Sequence, residues 1–390
     1  MQKSDVQPYI DIASNYGFAN YMFATNQGPS LPAHHFLLSG TSAPTAPGED
    51  DSLYFVADNG GFGGGAYPVN CPGPPNNFPP LVDYTSDEIS LLYRSCYDHP
   101  TLTDLLDPPE ISWRYYATDP GGIWAAPSAI SHMCYDQNHE GQSCDNQEYL
   151  QNMRFESRSN PVPILSDILS CQLAQVSWVT PDERWSDHQG GGGNLGLGPA
   201  YVANIVDAIG SNPTHCAESY WQDTAIFILW DDWGGYYDHV PPPIIMRKGD
   251  GHNDCENPGP FGCGYIYGFR VPLLVVSAYT PSGYVSGACT PLNCPNANFP
   301  YVHDFGSILR FIESNFQLGR IAPPGFAYAD AVAPDSIQGH VPLSDFFTLT
   351  TPRNFVSIDP GNGVGMSFFT QYFTLYPSQA PAGPDPDDTD

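Results

Sequence analysis

The chain has 390 residues, 41% hydrophobic and 13% aromatic, with a formal net charge of −30 at pH 7, which is enough for one large domain or two ordinary ones. Its only lysines are Lys3 and Lys248; this excludes a nucleic-acid partner, since phosphate backbones are bound by clustered cations, and argues against an anionic membrane surface. No run is long and apolar enough to span a bilayer, so a transmembrane segment is excluded too.

Val6 to Ala24 carries Ile10, Ala13, Tyr16 and Phe18 roughly in helical step, predicting an amphipathic helix. Asn26 to His35 makes a sharp loop in which Gly28-Pro29-Ser30-Leu31-Pro32 forces a tight turn before a helix. Residues 41–80 are rich in Gly and Pro and read as loop. Thr85 to Tyr97 reads as a helix capped by Ser86 or Asp87, Ile111 to Ala117 as a strand, Ile123 to Cys134 as a helix and Gln175 to Val179 as a strand. A helix over Tyr201 to Ile209 follows the glycine run Gly190–Gly193. The apolar run Ala225 to Trp230 and the segment Val271 to Ala278 read as buried strands, and Asp304 to Phe316 as an amphipathic helix with Ile308, Phe311 and Ile312 on one face. Residues from about Pro377 are rich in Pro and Asp and are expected to be disordered. Strands alternating with helices predict one α/β domain with a mostly parallel central sheet and long insertions.

The ten cysteines form an even set without a C-x-x-C pattern, so a disulfide framework outside the cytosol is the better reading. Close spacing groups Cys134 with Cys144, Cys255 with Cys263 and Cys289 with Cys294; for the other four, spacing does not fix the connectivity, and Cys71–Cys96 with Cys171–Cys216 is the expected arrangement. Met1 to Asp5 leads straight into the first helix with no signal-peptide h-region. An exported-looking chain without a signal is expected to lack its natural N-terminus.

Three segments carry chemistry. The strand Ala225–Trp230 ends in Asp231 and Asp232, followed by Gly234, Gly235, Tyr236, Tyr237, Asp238 and His239. Ligands gather at the carboxyl ends of strands in open α/β sheets, and paired carboxylates there are hard donors for a divalent cation; the plainer reading is a turn capped by aspartate. Ser30, at the start of a helix, is a candidate nucleophile near backbone N–H groups able to hold an anion, although most such turns are only turns. His34 and His35 lie close enough in sequence to orient its hydroxyl, or to be core histidines. Ser186-Asp187-His188 precedes the glycine run, where His188 suits a general acid for a leaving alkoxide; alone, it reads as a solvated loop histidine.

Taken together, Gly28-Pro29-Ser30-x-Pro32-x-His34, Ser186-Asp187-His188 and Trp230-Asp231-Asp232-x-Gly234-Gly235-x-Tyr237-Asp238-His239-Val240-Pro241-Pro242 resemble the bacterial phosphoesterase family that includes phosphatidylcholine-hydrolysing phospholipase C and respiratory-burst-inhibiting acid phosphatase. Gly268 to Ser277, Gly283 to Ser286 and His303 to Glu313 agree, in the family's order, so that the resemblance runs from about Val6 to Leu318. It implies an alkaline-phosphatase-like three-layer α/β/α sandwich over residues 1–376 and a metal-dependent phosphoester hydrolase with one divalent ion. Ser30 matches the family nucleophile, which also touches the metal; Asp231 and Asp232 match the acidic ligands; His188 matches a phosphate binder or general acid, and His132 a second family histidine. His34 is expected to shape the nucleophile loop. The family's Glu-Asn-x-Ser-Phe-Asp-like metal motif has no match in the 29 residues before Ser30, which implies an N-terminally incomplete domain.

The leading expectation is therefore a secreted or periplasmic phosphoesterase acting on a small-molecule or lipid phosphoester. A monoesterase is preferred over a phospholipase C-like diesterase because no C-terminal lipid-binding module is evident. The alternative is a non-catalytic fragment or pseudoenzyme retaining the scaffold. A Ser30–His188–Asp serine hydrolase is disfavoured because Gly-x-Ser-x-Gly is missing at Ser30.

Overall fold

The computed structural model describes residues 3–26, 28–49, 54–59, 70–73, 78–82, 88–89, 93–107, 110–136, 143–188, 197–211, 216, 220–242, 267–287, 301–326, 328–334, 340–361 and 364–379. In chain order, α1 (Gln7–Asn15), β1 (Gly17–Ala19) and α2 (Ser30–Ser39) lead to the short strands β2 (Phe55–Val56), β3 (Leu81–Val82) and β4 (Glu88–Ile89). Next come α3 (Thr103–Leu106), β5 (Trp113–Ala117), α4 (Ser131–Cys134), α5 (Gln147–Asn152), β6 (Met153–Phe155), α6 (Pro163–Leu169) and β7 (Val176–Val179). The second half supplies α7 (Leu197–Gly210), α8 (Tyr220–Asp223), β8 (Ala225–Leu229), β9 (Leu273–Ser277), β10 (Tyr284–Ser286), α9 (Phe305–Asn315), α10 (Ala329–Val332), α11 (Met366–Thr370) and α12 (Tyr372–Leu375).

The architecture is mixed α/β. A four-stranded sheet runs in the order β10-β1-β9-β8, with β9 antiparallel to β1 and β8 and β1 parallel to β10. A second sheet, β6-β5-β7, is all parallel, and β2-β3-β4 is a small antiparallel sheet. The mostly parallel central sheet expected from sequence is thus replaced by one mixed and one parallel sheet. A run such as Leu273-Leu-Val-Val-Ser reads the same in either direction: it reports burial on both faces, not strand polarity.

Strand β9 shows how the layers form. All five of its residues are buried. Leu274 and Val276 pack with Ile12 of α1, with Tyr16 just after it and with Val206 of α7, while Leu273 and Val275 pack with Phe36 of α2 and Phe305 and Ile308 of α9. The period-two alternation of a strand thus divides the helices between the two faces. Helix α9 starts where the sequence places it, because Asp304 accepts the Ser307 amide at 2.9 Å and the Ser307 hydroxyl answers the Asp304 amide at 3.2 Å, a capping box.

Other boundaries shift. The predicted Val6–Ala24 helix stops at Asn15 and gives way to β1. Gly17 lies under the Phe346 ring, where a Cβ would meet Phe346 Cδ1 at 2.6 Å, so a partner from the far end of the chain decides the break. The predicted Ile123–Cys134 helix is split at Ile130, which turns extended to bridge Tyr97. Within Thr85–Tyr97, the described Glu88 and Ile89 form a strand on β3. Disulfides Cys71–Cys96, Cys134–Cys144 and Cys171–Cys216 are formed. Cys255, Cys263, Cys289, Cys294, the run Gly190–Gly193 and the tail from residue 380 lie outside the described residues.

Behind α2, the buried His35 ring lies edge-on to Tyr97 and His99, at centroid distances of 5.1 and 5.6 Å. Burial lowers His99 from 6.5 to about 4, partly offset by its Nδ1 bond to the Ala43 carbonyl. His99 is therefore neutral in the folded protein, while the unfolded chain takes up a proton near pH 6.5. The unfolded state binds more protons in that window, so stability falls as pH drops from about 6.5 to about 4 and this contribution levels off below. Urea unfolding at pH 7 and pH 4.5 is expected to show a pH-dependent loss about 2–3 kcal/mol smaller in His99→Gln than in the unsubstituted protein.

Candidate active site

Ser30 is the first residue of α2, reached through a Gly28–Pro29 cis peptide with Gly28 at φ 105°. Asn26 braces the turn by donating its side-chain amide to Pro29 O at 3.4 Å. The anion-binding capacity of this helix end is narrower than the sequence implies. The Leu31 amide donates to Asn59 Oδ1 at 2.7 Å, Pro32 has no N–H, and the Ala33 amide donates to Pro29 O at 3.3 Å. Among the described residues the Ser30 amide alone of the first four positions has no protein acceptor.

The end of β8 meets this turn. The Ser30 hydroxyl lies 3.4 Å from Asp232 Oδ2, and the other Asp232 oxygen accepts the Gly234 amide at 2.6 Å. Gly234 and Gly235 take φ of 62° and 68°, a left-handed pair that glycine adopts freely. The turn-capping reading of this aspartate therefore holds, and its second oxygen faces the Ser30 hydroxyl. Asp231 Oδ2 lies 3.3 Å from His34 Nε2, one helical turn after Ser30. The other His34 nitrogen lies 3.2 Å from Tyr115 Oη, which itself donates to the Trp124 carbonyl at 2.8 Å. His34 is thus held between the Tyr115 hydroxyl and the Asp231 carboxylate. Burial pushes the Asp231 carboxyl up, but the His34 bond and charge and the Ser30 hydroxyl bring it down to about 2.

His188 comes from a third direction. Asp187, at φ 66°, is half-buried and accepts the Tyr9 hydroxyl at 2.7 Å. Its carboxylate occupies the space over Gly198, where a Cβ would meet Asp187 Oδ1 at 2.1 Å. The His188 amide donates to Ser186 Oγ at 3.1 Å, and its ring lies 6.2 Å from that of Trp124. Helices α1 and α7 thus hold the Ser186–His188 turn, and Ser30, His34, His188, Asp231 and Asp232 all line one cavity of about 1420 Å³.

His132 does not join them. It bridges Asp98, 2.6 Å from Nδ1, and Asp104, 3.4 Å from Nε2, away from that cavity. Burial lowers it, but the bonds and charges of these carboxylates raise it to about 9. The sequence reading missed Tyr115, Trp124 and Asn59, which fix the site from behind; the strand pattern around Tyr115 carries no sign of where its hydroxyl ends. Asp238 and Arg270 clamp the loop after β8, with Arg270 Nε and Nη2 at 2.5 and 3.0 Å from the carboxylate and Nη1 at 3.0 Å from Asn20 O. Among the described residues no group of three or more His, Cys, Asp or Glu is placed to hold a metal ion; Asp231, Asp232 and the Ser30 hydroxyl bring three oxygen donors together.

Residues 1–319 match the Phosphoesterase family. A non-hemolytic phospholipase C of Burkholderia pseudomallei is 33% identical over 159 residues, covering 38% of this chain and 20% of the relative. A hemolytic phospholipase C of Pseudomonas aeruginosa is 22% identical over 342 residues, 81% of this chain and 39% of its own. A non-specific phospholipase C1 of Arabidopsis thaliana is 32% identical over 94 residues, 24% of this chain and 16% of its own, so the likeness is not confined to bacterial proteins. The chain spans at most 39% of the length of these three relatives.

Gly268 locks the carboxylate loop to the turn before Ser30: a Cβ there would lie 2.6 Å from Asn26 O and 2.7 Å from Trp233 Cδ1. Because one of these is backbone, Gly268→Ala is expected to cost about 1–3 kcal/mol in urea unfolding. Gly319→Ala, with nothing within 4 Å, is expected to leave stability nearly unchanged; equal effects would disprove the packing argument.

Proposed function

The chain belongs to the Phosphoesterase family, and on that footing we propose that it hydrolyses phosphate esters through a phosphoenzyme on Ser30. The observation that carries the reading is the approach of the Ser30 hydroxyl to Asp232, 3.4 Å away, in the cavity that His188 also lines. Ser30 Oγ attacks phosphorus while Asp232 receives its proton; the bond from phosphorus to the ester oxygen breaks, and His188 protonates the departing alkoxide. Water then attacks the phosphoserine, and Ser30 leaves as a hydroxyl. His34, steadied by Tyr115, keeps Asp231 ionised and oriented. The layers of helices on both faces of β9 support reading the fold as an alkaline-phosphatase-like sandwich.

A divalent cation fits this reading through Asp231, Asp232 and Ser30, all hard oxygen donors; when bound it neutralises the phosphoryl oxygens and lowers the pKa of the hydroxyl. The names of the relatives favour a phospholipase C-like diester substrate over the monoester preferred from sequence. With a net charge of −30 the lipid surface would be zwitterionic rather than anionic. Tyr236 and Tyr237, 65% and 84% exposed beside the carboxylates, present the amphipathic rings that suit such an interface. Three disulfides support an extracytosolic location. The small donor set favours a second reading, a scaffold that binds but does not turn over.

Hydrolysis of p-nitrophenyl phosphate and p-nitrophenylphosphorylcholine from pH 4 to 9, with Mg²⁺ or Ca²⁺ or with a chelator, separates these readings. Ser30→Ala is expected to lose on the order of 10³-fold or more, and the choline diester to be the better substrate. His188→Ala is expected to lose roughly 10²-fold or more on an alkyl ester but little on p-nitrophenyl esters, whose leaving group needs no proton. Turnover unaffected by Ser30→Ala would rule out the phosphoenzyme; a folded protein inactive on every ester would leave the non-catalytic scaffold.

A further inference from the structure

Outside the site, two carboxyls lie buried against each other where α9 meets α10. Glu313 sits on α9 and Asp330 on α10, and neither side chain has any exposed surface. One guanidinium reaches both: Arg320 Nη1 lies 3.3 Å from Glu313 Oε2 and 3.9 Å from Asp330 Oδ2, and Arg310 adds a bond to Glu313 Oε2 at 3.0 Å. The Ile321 amide donates to Asp330 Oδ2 at 3.4 Å. Each carboxyl thus turns one oxygen to its donors. The other two oxygens, Glu313 Oε1 and Asp330 Oδ1, are buried with no donor among the described residues. Both arginines reach solvent, which screens part of their charge; the carboxyls do not. Two carboxylates in contact and out of water do not both ionise. A proton on one turns an acceptor into a donor and gives both stranded oxygens a partner at once.

We propose that Glu313 and Asp330 hold one proton between them, and that this shared proton is an acid-dependent latch joining α9 and α10 to the end of α2. The latch reaches α2 through the residue before Asp330. The Ala329 amide donates to Gly40 O at 2.9 Å, at the C-terminal cap of the helix that begins with Ser30. Helices α9 and α10 leave no slack between them, since a Cβ on Gly306 would meet Ala329 O at 2.2 Å. The charged and titratable groups facing the pair are Arg310 on α9, Arg320 in the segment that follows, and Tyr328 at the start of α10. Helix α2 meets α9 through apolar side chains, Phe36 and Leu38 against Ile308 and Leu309. Burial and then Asp330 raise Glu313 to about 8 against the pull of the arginines, and burial raises Asp330 as well. In the unfolded chain both groups titrate near pH 4. The folded state therefore binds more protons than the unfolded one between about pH 4 and the Glu313 value. The latch contributes fully below that window and is lost as pH rises through it. It stands apart from the reading of Ser30 as a nucleophile, because it acts on stability and not on turnover.

Glu313→Gln provides the test, because the amide keeps an oxygen for the arginines and offers Asp330 an N–H at every pH. Urea unfolding of the full chain is compared at pH 5 and pH 8.5. Over that interval the unfolding constant is expected to rise about tenfold more, or beyond, in the unsubstituted protein than in Glu313→Gln. Glu148, which burial raises to about 7, titrates in both proteins and cancels from the comparison. Protection of the Ala329 amide against hydrogen exchange, read at the same two pH values, is expected to fall in the unsubstituted protein and to hold in Glu313→Gln. Asp330→Asn, which offers the N–H from the other side, carries the same comparison if Glu313→Gln folds poorly. Equal pH dependence of unfolding in the unsubstituted protein and the folded variant overturns the proposal. So does Ala329 protection that is the same at both pH values in the unsubstituted protein, a result that needs no variant.

Discussion

The structure turns on a contact between residues 202 positions apart in the chain, where the first turn of α2 meets the carboxylates at the end of β8. Neither partner reaches this position by local preference. Ser30 is placed by a glycine–proline turn braced by Asn26 and Asn59, and Asp231 and Asp232 by the antiparallel ladder with β9. Strand β9 in turn is held by helices on both faces, so the separation of hydroxyl and carboxylate is set by core packing. A shift of the helical layers would be felt first at this contact, because protein interiors transmit strain rather than absorb it.

Charge is distributed with the same economy. The chain is strongly acidic, yet its few arginines lie mostly against carboxylates inside the fold: Arg270 on Asp238, Arg184 on Asp182, Arg310 and Arg320 on Glu313. Burial and the neighbouring Asp330 raise Glu313 to about 8, against the pull of Arg310 and Arg320, so these cations answer a local cost and are not spare. An anion approaching the site meets the repulsive field of a chain with a net charge of −30. At the carboxylate pair itself, His34 lies 3.3 Å from Asp231.

What the sequence made legible is what local chemistry decides. The strands ending near Ala117, Val179 and Asp231, the capped helix after Asp304, the turn presenting Ser30 and the close Cys134–Cys144 pair can all be read from residue types and spacing. What escaped it is decided by distant partners. Phe346 ends the first helix by lying on Gly17, and Tyr97 draws Ile130 out of helical geometry. The tyrosine that braces His34 sits in a strand whose pattern announces burial but not the direction of its hydroxyl. His132 shows the converse: its neighbours in sequence looked suitable, but two aspartates from another segment engage both ring nitrogens.

Asp232 spends one oxygen on the Gly234 amide and turns the other to Ser30. Its side-chain torsions are therefore settled before any ligand arrives. A free carboxylate surrenders rotational entropy when it is captured, a loss of about 0.5–1.5 kcal/mol for each side chain immobilised on binding. Here that loss is already met in folding. The same tether fixes the direction in which the carboxylate faces Ser30, so whatever binds beside Ser30 meets a fixed acceptor and must itself adjust to reach it.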